Sequence, residues 1–170
     1  MTAREMICLS LGSNLGDRSR NLEQARDLIR QNTGGMVAVS GIYESAPWGF
    51  SSRHSFYNCC ITFGIAPSPD PLVLMGDLLQ VERQMGRERT NGGYGDRLID
   101  IDLLLYGDRV LDFSGLKVPH PRMEERRFVL VPLAEIAGDM AHPLTGLTIG
   151  ELLEACRDPS EVRPVRPAPW

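Results

Sequence analysis

The 170-residue chain predicts an α+β fold, a ferredoxin-like βαββαβ sandwich with helices packed on an antiparallel sheet and a C-terminal extension. Three observations predict it. Apolar and amphipathic segments follow one another in the order strand, helix, strand, strand, helix, strand. Glycine, proline and cap residues punctuate the joints between them. The chain is 42% hydrophobic, enough to bury one core without staples.

The first strand is read over residues 6–11, a mostly apolar run suited to a central position. Gly12-Ser13-Asn14-Leu15-Gly16-Asp17 is a turn rich in glycine and N-cap residues. A helix is predicted over about 18–31, where Leu22, Ala25, Leu28 and Ile29 fall at the 3.6-residue period, and Gly34-Gly35 ends it. Residues 36–43 alternate as a second strand, a loop follows over 45–54, and 56–65 is the third strand. Pro71 opens a second helix over about 71–85, a position where its missing N–H costs nothing. A polar, arginine-rich loop covers 86–97, and 98–106 is the fourth strand, with Gly107-Asp108 able to turn it into a short hairpin. This order predicts both helices on one face of the sheet. Beyond Phe113 the reading is loops with one further helix near 149–155. Residues 1–158 form a single domain in this reading, and 159–170, with four prolines, a frayed tail.

The formal net charge of −4 argues against a general nucleic-acid binder, which would carry a basic surface. Lys117 is the only lysine among 18 basic residues, and arginine is the better residue for bidentate phosphate contacts. The four cysteines, Cys8, Cys59, Cys60 and Cys156, form no C-x-x-C pair. They read as small buried residues of a reducing compartment, with Cys59 and Cys60 on opposite faces of a strand. No leader pattern and no apolar run of roughly 20 residues is present. A soluble, cytoplasmic, monomeric protein with no membrane or nucleic-acid partner is expected.

The sharpest feature is Arg97-Leu98-Ile99-Asp100-Ile101-Asp102-Leu103. Residues i and i+2 of a strand share a face, so Asp100 and Asp102 project together, with Cα atoms roughly 6.5–7 Å apart. Ile99, Ile101 and Leu103 then point into the core. Two carboxylates side by side in an apolar strand repel each other and want a positive partner. Mg²⁺, which takes few carboxylates plus phosphate oxygens and water, is the natural candidate. Arg87, Arg89 and Arg97 flank the pair in a loop carrying Asn91, Gly92, Gly93 and Gly95, a composition suited to a mobile lid over a polyphosphate. His120, between two prolines, and Arg126 form a third cluster able to contact phosphates. Trp48, Phe50 and Phe56, with the distant Phe128, could sandwich a flat heterocycle whose edge Asn58 reads. No G-x-x-x-x-G-K-[ST] and no G-x-G-x-x-G follows the first strand, so a P-loop or Rossmann nucleotide site is disfavoured.

In this order and spacing several segments resemble one family, the 6-hydroxymethyl-7,8-dihydropterin pyrophosphokinases of folate biosynthesis. They are Leu11-Gly12-Ser13-Asn14-Leu15-Gly16, Tyr43 through Gly49, Phe56-Tyr57-Asn58, Gly86-Arg87-Glu88-Arg89, Arg97 through Asp102, and Val118-Pro119-His120-Pro121 with Arg126-Arg127-Phe128. The resemblance implies transfer of pyrophosphate from ATP to the pterin hydroxymethyl group, with AMP released. It implies two Mg²⁺ ions on Asp100 and Asp102, and Arg87 and Arg97 assisting transfer. Arg89, His120 and Arg126 would contact ATP. Phe56 and Phe128 would stack on the pterin, and Asn58 with Ser45, Ala46 and Trp48 would read its edge. Asp96 departs from the family pattern, where proline or a small residue is usual, and places an acid near the expected phosphates. Leu79 stands where a polar residue facing the nucleotide is usual. A metal-dependent phosphoesterase using the same aspartates would want further acidic or His ligands. A non-catalytic binding module would leave the aspartates unexplained.

Overall fold

The structure is a computed structural model and describes residues 4–87 and 94–170. Strand β1 (Glu5–Ser13) is an interior strand of the sheet. On one side it pairs antiparallel with β4 (Phe56–Ile65), in register from Glu5 opposite Ile65 to Ser13 opposite Tyr57. On the other it pairs antiparallel with β5 (Asp100–Tyr106), which places Gly12 opposite Asp100 and Ser10 opposite Asp102. The expected second strand is two strands, β2 (Met36–Val39) and β3 (Ile42–Ser45), both paired with β4. The interruption at Ser40-Gly41 has a local cause. Ser40 N–H still donates to Cys60 O, but Ser40 Oγ takes the return bond from Cys60 N–H, and Gly41 N–H donates to the Glu135 carboxylate, so side chains take over part of the ladder there.

Helix α1 (Arg18–Thr33) begins where Asp17 accepts a hydrogen bond from Arg20 N–H. It ends at Gly34, whose φ of 61° is open to glycine without steric cost. Helix α2 (Pro71–Gln84) starts on the Asp70 cap with proline in its first turn. Leu22, Ala25 and Ile29 of α1 and Leu74, Leu78 and Val81 of α2 pack on Ile7, Leu9, Leu11, Cys59, Ile61, Ile99 and Ile101.

The two helices of the βαββαβ unit share one face, as expected, and the other face is covered too, by helices that follow the unit. Helix α3 (Arg127–Ala137) and helix α4 (Ile149–Ala155) bury Val129, Leu130, Leu133, Ile149 and Leu152 against Cys8, Cys60, Leu104 and Leu105. Cys59 and Cys60 therefore face opposite cores, and all four cysteines are free thiols. Helix α3 was not expected, because Pro132 interrupts its apolar run. Its apolar side chains gain more by burial than the missing N–H removes. The short hairpin forms between β6 (Leu111–Phe113) and β7 (Leu116–Val118), one turn later than Gly107-Asp108.

The end of the chain is ordered against the sheet rather than frayed. Strand β8 (Val162–Arg166) pairs antiparallel with β3. Arg163 reaches the Glu44 carboxylate, and Trp170 Nε1 donates to Ser40 O at 2.8 Å. Proline is tolerated because β8 is an edge strand. Removing residues 161–170 forfeits this ladder and the Trp170 packing, together about 2 kcal/mol, so a thermal melt should shift down by roughly 4–8 °C. An unshifted melt would contradict a docked C-terminus.

Candidate active site

The register of the sheet gathers the predicted residues at one end. Gly12 sits between Asn58 on β4 and Asp100 on β5, and Ser45 of β3 sits opposite Phe56 of β4. Alternation along β5 sends Ile99, Ile101 and Leu103 into the α1–α2 core. It leaves Asp100 and Asp102 half-buried on the α3 side, in front of Arg126 and Phe128. The aspartates do project together, as i and i+2 of a strand must.

They form one wall of an open-mouthed cavity. Five rings line the cavity, those of Trp48, Phe50, Phe56, Tyr94 and Phe128. Phe50 stands edge-on to Phe56 at 6.1 Å and stacks on Tyr94 at 6.3 Å. The lining also carries Arg97, Arg126, Asp100 and Asp102. Asn58, also in the lining, is buried and donates from Nδ2 to Ser45 Oγ at 2.8 Å and to Tyr43 O at 3.3 Å. Both donor positions are thereby used inside the fold, and Oδ1 is turned toward Gly12.

The charges are arranged around the acids. Arg87 Nη1 lies 2.6 Å from Asp100 Oδ1, Arg97 Nη1 lies 3.5 Å from Asp100 Oδ2, and Arg126 Nη1 lies 3.9 Å from Asp102 Oδ2. Arg97 and Arg126 also lie over rings: Arg97 is 5.5 Å from the Phe56 centroid, and Arg126 is 4.7 Å from that of Trp48. The Nε atoms of both arginines are buried with no hydrogen-bond partner among the described residues. Buried donors of this kind are normally satisfied, so the cavity is short of acceptors. An anionic ligand would supply them.

Arg97 is placed by Asn14, the residue directly after β1 in the glycine-rich turn. Asn14 Oδ1 accepts from Arg97 N–H at 2.7 Å, and Asn14 N–H donates to Arg97 O at 3.1 Å. Asn14 Nδ2 donates to Asp96 Oδ1 at 2.8 Å. The Ser52 hydroxyl and the Asn14 amide hold the Asp96 carboxyl below its ordinary pKa. Asp96 therefore faces Ser51 to His54, outside the cavity, and not the acids and guanidinium groups inside it.

Arg87 is not brought to the cavity. Its side chain lies behind Asp100, bonded to Glu82 Oε1 at 2.9 Å and to Ile99 O at 3.1 Å as well. Arg89 lies outside the described residues. His120 lines an adjoining groove with Lys117 and Met75, and that groove shares Asp102 with the cavity. His142 is buried and pairs with Glu124 at 3.2 Å, in line with a structural role, whereas His54 lies on the surface. Tyr94 and Glu82 went unpredicted. Tyr94 stands in a glycine-rich stretch with no periodicity, and Glu82 reads as the polar face of α2.

Burial, and then the Arg126 guanidinium, push the His120 ring down to about 4. Its folded pKa lies below its ordinary 6.5, so the unfolded chain binds the proton more readily. The contribution of the neutral ring is whole above about pH 6.5 and is lost as pH falls toward 4. His120→Gln should flatten the fall of Tm between about pH 7 and pH 4. An unchanged slope would contradict a neutral buried ring.

Comparison with known proteins identifies the family of the chain. Residues 8–138 match the family of 7,8-dihydro-6-hydroxymethylpterin-pyrophosphokinase (HPPK). Curated relatives named 2-amino-4-hydroxy-6-hydroxymethyldihydropteridine pyrophosphokinase include that of Bacillus subtilis, 42% identical over 75% of this chain and 75% of that protein. That of Synechocystis is 39% identical over 94% of this chain and 80% of its own. The Pneumocystis carinii "Folic acid synthesis protein fol1" is 36% identical over 96% of this chain, which spans only 22% of that longer protein. Among solved structures, an HPPK-DHPS in complex with substrates shares the fold with a TM-score of 0.70 at 13% identity, over 91% of this chain and 43% of that one. The chain belongs to the 7,8-dihydro-6-hydroxymethylpterin-pyrophosphokinase family, and its reaction is the transfer of pyrophosphate from ATP to the hydroxymethyl group of that reduced pterin, in folate biosynthesis.

Proposed function

We propose that the two kinds of lining divide the reaction between them: the pterin lies against the rings, and the triphosphate of ATP meets Asp100, Asp102, Arg97 and Arg126. The observation that carries this is the single cavity joining a stack of rings to two aspartates with buried, unpartnered guanidinium nitrogens. Phe56 and Phe128 would lie against the pterin faces. Asn58 Oδ1 would accept from an N–H of its edge, with the backbone of Ser45, Ala46 and Trp48 completing the reading.

Asp100 and Asp102 would hold two Mg²⁺ ions. Magnesium takes one or two carboxylates and completes its shell with substrate phosphates and water. The donor set fits that habit, since no group of three or more His, Cys, Asp or Glu comes together among the described residues. When bound, the ions would neutralise charge on the phosphate oxygens. Arg97 and Arg126 would add fixed positive charge at the same place without reorganising. The aromatic wall would exclude water, and His120, neutral near pH 7, would offer hydrogen bonds to ATP instead of charge. Arg89 would be a further ATP contact. Arg87 would act on the reaction by fixing Asp100.

The pterin hydroxyl then attacks the β-phosphorus. Its oxygen–phosphorus bond forms as the α,β-bridging bond breaks, AMP leaves, and the hydroxyl proton passes to solvent. Such a transfer asks mainly for position and charge neutralisation, not a strong protein base. The enzyme would work as a cytoplasmic monomer, a compartment in keeping with its free thiols. Among the described residues no helix is long and apolar enough to cross a membrane.

The assay is incubation with ATP, Mg²⁺ and the hydroxymethyl dihydropterin. AMP should appear in step with pterin diphosphate. ADP or inorganic phosphate alone would overturn the reading.

A further inference from the structure

Glu82 lies outside the cavity, yet its carboxylate is only 2% exposed. A charge buried that deeply persists where partners offset its desolvation. Glu82 Oε1 accepts from Ile101 N–H at 2.9 Å and from Arg87 Nη1 at 2.9 Å. Ile101 is the residue between the two aspartates, so α2 is tied to β5 at the midpoint of the pair. Arg87 Nη1 donates in turn to Asp100 Oδ1 at 2.6 Å and to Ile99 O at 3.1 Å. A backbone bond from Arg87 N–H to Glu82 O, 3.0 Å, fixes the turn between them. The Arg87 side chain is 11% exposed.

These contacts form a chain of acid, base and acid: Glu82, Arg87, Asp100. Arg87 shares its charge between two carboxylates and is anchored from the side away from the cavity. Without Glu82, the guanidinium would give its whole charge to Asp100 and would be released to swing forward. Asp100 would then be held in an ion pair that competes with any cation in front of it. Loss of the Ile101 bond would loosen the strand that sets the spacing of the pair.

We propose that Glu82 is a positioning residue, acting through Arg87 and the β5 backbone to keep Asp100 and Asp102 aimed into the cavity. This rests on the reading above, that those aspartates serve the magnesium-bound triphosphate. Glutamine is the informative substitution, since it keeps the acceptor oxygen and removes the charge. Glu82→Gln should lower kcat about tenfold and raise the Mg²⁺ concentration for half-maximal rate about tenfold, the scale of one lost charge-assisted hydrogen bond. The affinity for pterin should stay within about twofold, which a general loss of structure would not spare.

Arg87→Met and the double variant complete the test. If Glu82 acts through Arg87, the double variant should turn over no more slowly than Arg87→Met alone. Arg87→Met takes the guanidinium away from a buried carboxylate, so it should melt below the double variant, in which that charge is gone. Full kcat in Glu82→Gln, rate losses that multiply, or no recovery of Tm in the double variant would each overturn the proposal. Asp102→Ala, run alongside, separates the two readings. Turnover surviving in Asp102→Ala overturns the site itself, whereas multiplying losses beside an inactive Asp102→Ala overturn the role of Glu82 alone.

Discussion

Replacing Asp102 with alanine should cut turnover by about 10³-fold, the scale of removing a group that stabilises charge in the transition state. Asp100→Ala should do the same. Both side chains stand half-buried on the rim of the sheet, while Ile99, Ile101 and Leu103 beside them carry the packing. Alanine at either position therefore removes a functional oxygen pair and little of the core. Circular dichroism should be native, and pterin binding, measured by titration, should stay within a few-fold. Loss of one acid also leaves arginines behind: Arg97 and Arg87 beside position 100, Arg126 beside position 102. The excess positive charge should keep ATP binding from collapsing even as catalysis fails. Unaltered turnover in either variant would refute the metal assignment.

Arg97→Ala should lower kcat about 10²-fold and weaken pterin binding far less, by about threefold. The guanidinium approaches Asp100 at 3.5 Å, and its Nε is buried without a partner among the described residues. Both observations support the proposed contact with phosphate oxygens. Its place over Phe56, 5.5 Å from the ring centroid, explains the small effect expected on the pterin. Arg97→Lys should recover only part of the rate, because an ammonium lacks the planar fork. A loss of pterin affinity equal to the loss of rate would contradict this division. So would full activity in Arg97→Ala.

The parts of the fold legible in the sequence were those whose signal is local. Strand β4 reads directly from ten residues rich in β-branched, aromatic and thiol side chains, and α1 from Leu22, Ala25 and Ile29 on one face. The elements that stayed hidden carry prolines. Pro132 conceals α3, and Pro164 conceals β8, because propensity speaks against each while burial or an edge position permits it. The second helical layer follows from α3, so missing that helix also meant missing the layer.

The site divides in the same way. The aspartate pair was legible because strand geometry alone puts i and i+2 together. Ser45, Ala46, Trp48, Phe56, Asn58, Arg97, Arg126 and Phe128 all line the same cavity as the pair. Arg87 and Arg97 looked equivalent in the sequence, two arginines near one acidic strand. Only the fold separates them, since Glu82 of α2 claims Arg87 from behind while Asn14 presents Arg97 at the mouth. Asp96 looked like a hindrance beside the phosphates, and Asn14 turns it away. Partners of this kind lie far along the chain and leave no local pattern.

The most direct test of the shared cavity follows the β-phosphorus of ATP. With ATP labelled at that atom, the label should move to the pterin, and AMP should carry none. Label retained in ADP, or released as phosphate with the pterin unlabelled, would contradict pyrophosphate transfer at this site.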